Sequence, residues 1–259
     1  MKFLSYIVLF FVVSISFAQN DCDQIYDGCK NPCGPKEKRE ERIILNADQN
    51  SIAPYNYIIH QTFNRLSGDF SSTSSFIAPN VLITAHHNVV RKYLINGITF
   101  YNPLDHSQTI YFKKKEFKIY TYKNKLNTLT DIAVIVFKDP KKIAPYYKGH
   151  FKLNKISNID PNVVAHLTGF PCDISDTKID KKDFVRNLIT SNSYNLIGYN
   201  MFTCTGDSGA PLWVIHDNEP TTIGIHHGGN EGYIDNCYNI STRINADILK
   251  WIQNILTKN

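Results

Sequence analysis

Thr205-Gly206-Asp207-Ser208-Gly209-Ala210-Pro211 restricts the fold of this chain more than any other stretch. Two glycines around one serine bend the backbone tightly enough to expose the hydroxyl and two neighbouring N–H groups, an arrangement that acyl transfer requires. Upstream, Leu82-Ile83-Thr84-Ala85-His86-His87 offers a base, and Asp131-Ile132-Ala133-Val134-Ile135-Val136-Phe137 offers an acid at the head of an apolar strand. The order is base, acid, nucleophile.

Short β-branched and aromatic runs between polar turns predict an all-β body. They include Tyr57-Ile58-Ile59, Phe76-Ile77-Ala78, Val81-Leu82-Ile83, Ile110-Tyr111-Phe112, Phe117 to Tyr120, Ile132 to Phe137, Val163 to Leu167, Pro211 to Ile215 and Thr222 to Ile225. Helical periodicity occurs only at the end. There Ile244, Ile248, Trp251, Ile252 and Ile255 share one face, which predicts a terminal helix over about residues 245–257.

The first residues read as a secretory address. Lys2 supplies the charge, Leu4 to Ile15 are mostly apolar, and Ser16-Phe17-Ala18 is a small-residue cleavage site. Cleavage after Ala18 is expected, giving a secreted, extracellular protein with no membrane attachment after signal removal. The alternative is an uncleaved anchor, for which the apolar run is short. Residues 19–42 then form a cysteine-rich N-terminal segment. Its last part, Gly34 to Arg42, is charged and should be exposed linker.

Six cysteines in such a chain favour disulfides. Clustered Cys and His also invite a zinc reading, but no C-x-x-C pairs with an H-x-x-x-H, so no metal or other cofactor is expected. A net charge of +5 is too mild to imply nucleic acid. The basic run from Lys113 to Lys125 reads as a solvated face. A monomer acting on protein or peptide substrates is expected.

The three motifs, in their order, resemble those of the chymotrypsin-like serine proteases, which read T-A-A-H-C, D-I-A-L and G-D-S-G-G-P. The resemblance runs from about Ile43 to the C-terminus and implies two packed antiparallel β-barrels, about residues 43–150 and 151–243, followed by the helix. It implies Ser208 as nucleophile, His87 as general base and Asp131 as its orienting acid, with the N–H groups of Gly206 and Ser208 as oxyanion hole. Adjacent residues point apart, so only one of His86 and His87 can face the serine. His86 stands at a small-residue position of the motif, and Asn88 replaces the usual Cys. In this family a bridge commonly joins the residue four before the nucleophile to a later loop, which implies Cys204–Cys237. Cys22, Cys29, Cys33 and Cys172 allow three pairings, and any complete one tethers the N-terminal segment to the body.

The resemblance further implies a zymogen. Cleavage after Arg42 would free the α-amino group of Ile43 to pair with Asp207; the alternative is an ordinary edge strand with no processing. Phe202 stands where trypsin-like enzymes carry an acid, so Lys or Arg specificity is not expected. Gly224-Ile225-His226-His227-Gly228-Gly229 instead resembles the G-I-H-x-G-G of staphylococcal-type glutamyl endopeptidases. That likeness implies Thr203, His226 and Gly228 as the pocket for a substrate glutamate. Asp207 departs from it, since those enzymes usually have Asn there. A protease of another specificity, or an inactive homologue acting as a binding protein, are the alternative readings.

Overall fold

The computed structural model describes residues 42–66, 68–90, 92–102, 105–122, 130–154, 163–171, 182–187, 194–229 and 239–259. The signal segment, the cysteines other than Cys204, and the linker up to Glu41 lie outside them.

The described strands are β1 (Ile43–Ile44), β2 (Ile58–Arg65), β3 (Phe70–Ala78), β4 (Val81–Thr84), β5 (Ile95–Asn102), β6 (Asp105–Lys113), β7 (Phe117–Thr121), β8 (Ala133–Phe137), β9 (Lys152–Leu153), β10 (Val164–Gly169), β11 (Lys182–Asn187), β12 (Leu196–Tyr199), β13 (Pro211–His216), β14 (Glu219–Gly229) and β15 (Asn239–Arg243). One sheet runs β6-β5-β2-β3-β4-β8-β7 and the other β1-β11-β10-β13-β14-β15-β12, with β9 pairing β14 in parallel. Both curl into half-barrels, and a C-terminal helix follows, as the all-β expectation required. The first strand, β1, joins the second sheet by pairing with β11.

Alternation along β8 explains why its whole run is apolar. Ala133, Ile135 and Phe137 enter the core of the first sheet with Phe76, Phe100 and Phe112. Ile132, Val134 and Val136 face the other way, into a cluster with Ile83, Ile225 and the terminal helix. A strand buried on both faces has no polar side to present. The cluster containing Ile225 of β14 and Ile83 of β4 locks the two sheets together.

The α-helices among the described residues are α1 (Ala47–Ser51), α2 (Pro140–Ile143) and α3 (Ala246–Leu256). Asn245 caps α3 by accepting from the Ile248 N–H at 3.0 Å. Isoleucine is only a middling helix former, by a few tenths of a kcal/mol, whereas burying one such side chain is worth about 1.5–3 kcal/mol. Packing of Ile248, Ile252 and Ile255 therefore decides the element. The β13–β14 hairpin turns through Asp217 and Asn218, both at positive φ (51° and 62°), as a two-residue loop with Asp and Asn permits.

Candidate active site

Antiparallel pairing places the site. Because Thr84 of β4 pairs Ala133 of β8, the residues just after β4 and just before β8 meet at one edge. His87 opens a 3-10 turn there, and Asp131 stands two residues before β8. His87 Nδ1 lies 2.5 Å from Asp131 Oδ2, and the His87 backbone N–H donates to Oδ1 at 2.7 Å. His87, rather than His86, is thus the histidine that reaches the acid. The Asp131 N–H in turn donates to Thr242 Oγ1 of β15, at 2.9 Å, tying the acid to the second sheet. Burial pushes the Asp131 carboxyl up, but the His87 hydrogen bond, the charges of His87 and His227 and the His87 N–H outweigh it, holding the pKa below the ordinary carboxylate value.

The second sheet delivers the serine by the same logic. Pro211 of β13 pairs Ile225 of β14, so the turn before β13 meets the end of β14. The Gly209 N–H donates to the His226 carbonyl at 3.0 Å and the His226 N–H to the Ala210 carbonyl at 2.9 Å. Gly206 and Gly209 take φ of 99° and 88°. At Gly209 a Cβ would collide with Thr84 Oγ1 and the Thr73 carbonyl, so only glycine lets the turn press this close to the first sheet.

Ser208 Oγ makes no hydrogen bond among the described residues; the backbone holds the residue in place. Its carbonyl accepts from the Thr73 N–H at 3.1 Å and from Asn88 Nδ2 at 2.9 Å. Within the turn the N–H groups of Asp207, Gly209 and Ala210 all have acceptors. Those of Gly206 and Ser208 have none among the described residues.

Asn88 and Thr73 are functional positions that the motifs do not reveal. Asn88 Nδ2 reaches both Thr84 Oγ1 (3.0 Å) and the Ser208 carbonyl, so hydrogen bonds brace the loop where the family more often has a disulfide. Thr73 Oγ1 donates to the Gly206 carbonyl and accepts from the Phe170 N–H, joining β3 to the serine turn and to the end of β10. A run of hydroxyls inside a strand, Ser71 to Ser75, was the available signal.

The residues assigned to the specificity pocket lie beside β12, β14 and β15. Thr203 is buried and donates to Asn239 Oδ1 at 3.0 Å, and Asn239 Nδ2 donates to the Met201 carbonyl. His226 is buried, with Nδ1 2.5 Å from the Tyr199 hydroxyl; that hydroxyl also meets Ser241 Oγ at 3.0 Å. Burial, then the neighbouring His227 and His87, push the His226 pKa down to about 3, so the ring is neutral at working pH. Among the described residues nothing lies within 4 Å of a Cβ built on Gly228. Phe202 is buried, with the Arg42 guanidinium 4.5 Å above its ring.

Two further assignments behave differently. Ile43 is half exposed on β1. Asp207 is buried, its Oδ2 accepting from the Cys204 N–H at 2.9 Å. Cys204 is buried too, but Cys237 lies outside the described residues.

Among solved structures the chain is similar to a Glu endopeptidase in complex with MPD, at 22% identity, with 83% of this chain and 95% of that one covered and a TM-score of 0.64. It is also similar to a scabies mite inactivated protease paralogue, at 14% identity, covering 79% and 95% with a TM-score of 0.60. At these identities the likeness concerns the fold. No curated protein matches the sequence. The family model described as Trypsin matches residues 49–252, a span that contains both sheets' contributions to the site. On that match the chain belongs to the trypsin family of serine endopeptidases.

Proposed function

We propose that the chain is a secreted endopeptidase that cuts after glutamate, with Ser208 as nucleophile, His87 as general base and Asp131 as the group that orients it. The observation that supports this reading best is the His87–Asp131 pair at 2.5 Å beside a serine turn with two N–H groups to spare. Asp131 engages Nδ1, which leaves Nε2 to take the Ser208 proton as the hydroxyl attacks the scissile carbonyl. A serine–histidine hydrogen bond of this kind often closes only once substrate is bound. The Gly206 and Ser208 N–H groups then receive the developing oxyanion.

Support for glutamate comes from His226. The buried ring, neutral at working pH, carries one N–H donor, and Thr203 adds a hydroxyl by turning from Asn239. A carboxylate suits such donors, and the charged bond is roughly twice as strong as a neutral one. Substrates with Glu at the cleaved position should exceed matched Gln substrates by about tenfold or more in kcat/KM. His226→Ala should erase most of that margin and leave Leu or Phe substrates little changed. The Glu-to-Leu ratio cancels whatever the triad itself does with pH. It should fall as the substrate carboxyl, which ordinarily titrates at about pH 4.3, becomes neutral, and His226 will not interfere until about pH 3. Equal rates after Glu and Leu at pH 7 would contradict the glutamyl reading and leave the peptidase intact.

The same proposal includes activation. Cleavage after Arg42 would free the Ile43 ammonium to pair with the buried Asp207 carboxylate, a partner that a charge in low dielectric needs. Active material should begin Ile-Ile-Leu-Asn on N-terminal sequencing, and Asp207→Asn should weaken it. Full activity in protein still joined at Arg42–Ile43 would overturn this step. A Cys204–Cys237 bridge, and a tether from Cys172 to the N-terminal segment, complete the reading; two pieces separating only on reduction of a cleaved sample is the expected result.

A further inference from the structure

His227 is not needed by any step above, yet it faces the catalytic pair. Its Nε2 lies 3.8 Å from Asp131 Oδ2, the oxygen that His87 Nδ1 approaches to 2.5 Å. The two imidazole rings stand 6.0 Å apart, inclined by 31°. One ligand atom from each of His87, Asp131 and His227 lies within 4.8 Å of the other two.

We propose that His87, Asp131 and His227 form a three-ligand site for Zn²⁺, and that zinc seated there switches the peptidase off reversibly. Two imidazole nitrogens and one carboxylate oxygen are a donor set that zinc accepts, with a fourth position left for water. Arms of about 2.0–2.2 Å in a tetrahedron put the donor atoms about 3.3 Å apart. The two spacings to Asp131 bracket that value, so the His87–Asp131 contact opens by less than about 1 Å, His227 closes on Asp131 by about half as much, and the two histidine nitrogens, now within 4.8 Å, close on each other by up to about 1.5 Å. Side-chain torsions suffice. The ligands come from three anchored places: the turn after β4, the residues before β8, and β14. The His87 and His227 side chains are 36% and 29% exposed, which gives an ion access from the cleft.

The chemistry of inhibition follows from the nitrogen used. Coordination through His87 Nδ1 breaks the Nδ1–H bond, forms the dative bond to zinc, and moves the proton to Nε2, so no proton is gained or lost. A neutral ring protonated on Nε2 cannot accept the Ser208 proton. Asp131 is likewise held by the ion rather than by the imidazole.

This inference rests on Ser208, His87 and Asp131 as the catalytic set, so its test has a binding arm that needs no catalysis. In equilibrium dialysis with ZnCl₂, Ser208→Ala protein should hold one ion per chain, and the added change His227→Gln should weaken its binding by about tenfold or more. Cobalt(II) gives a second readout: a visible absorption band expected with His227 present and lost with Gln there. In the activity arm, zinc should inhibit the active protein, a chelator should restore it, and His227→Gln should need about tenfold more zinc, each protein being scaled to its own metal-free rate. If His227→Gln is unfolded by circular dichroism, His227→Asn replaces it. Absence of bound ion, or equal zinc sensitivity with and without His227, overturns the proposal.

Discussion

Replacing Ser208 by Ala is expected to lower kcat by about 10⁴-fold or more while the protein remains folded. The side chain makes no hydrogen bond among the described residues, so its hydroxyl does no structural work that alanine would undo. The turn is held instead by the Ser208 carbonyl, with Thr73 and Asn88, and by the two glycines. His87→Ala should be as damaging, because it removes the base and leaves Asp131 without its principal partner. His86→Ala provides the contrast and should be nearly neutral, since His86 does not reach Asp131. Steady-state kinetics on a peptide substrate, with circular dichroism as the folding control, reads all three. Comparable loss in His86→Ala and His87→Ala would break the assignment of the base.

Asp131→Asn is expected to cost about 10⁴-fold in kcat, nearly as much as losing the serine. Asp131 accepts both the backbone N–H and the Nδ1–H of His87, a pattern that requires two acceptor oxygens. An amide supplies only one. If its oxygen keeps the backbone N–H, its NH₂ faces Nδ1, and the ring takes the tautomer with Nε2 protonated, which cannot serve as base. Because the carboxyl is held below its ordinary pKa, Asp131 stays ionised throughout the neutral range. The wild-type profile should therefore carry no limb from this acid above about pH 4.

The motif residues were legible because each needs a particular backbone: glycines for the serine turn, an apolar strand behind the acid, a short turn for the base. The strands rich in β-branched and aromatic residues were legible too, β8 above all, since both its faces are buried. Other strands hide behind polar composition. In β3 the run Phe70-Ser71-Ser72-Thr73-Ser74-Ser75 has no apolar residue after Phe70, yet Ser72 to Ser75 are buried. Their hydroxyls are partly satisfied by Gln61 Nε2, which donates to Ser72 and Ser74, and by the contacts of Thr73 with the nucleophile turn. The same holds in β15, where Asn239, Ser241 and Thr242 are buried because they serve Thr203, Tyr199 and Asp131. Such partners lie more than thirty residues away in sequence, so no local pattern reports them. The short helices α1 and α2 span too few residues for periodicity; their caps, Asn46 with Gln49 and Asp139 before Pro140, were the only local signs. His227 reads in sequence as an incidental neighbour of His226, and only the meeting of β14 with the start of β8 sets it against Asp131.

The catalytic assignment is tested most directly by labelling the active protein with a fluorophosphonate and locating the adduct by peptide mass spectrometry. The activated serine oxygen displaces fluoride from phosphorus, so the label marks the nucleophile itself. A single adduct on Ser208, absent in His87→Ala and accompanied by complete loss of peptidase activity, is the expected result. A protein that cleaves peptides yet takes no label, or takes it on another residue, would contradict the Ser208–His87–Asp131 assignment.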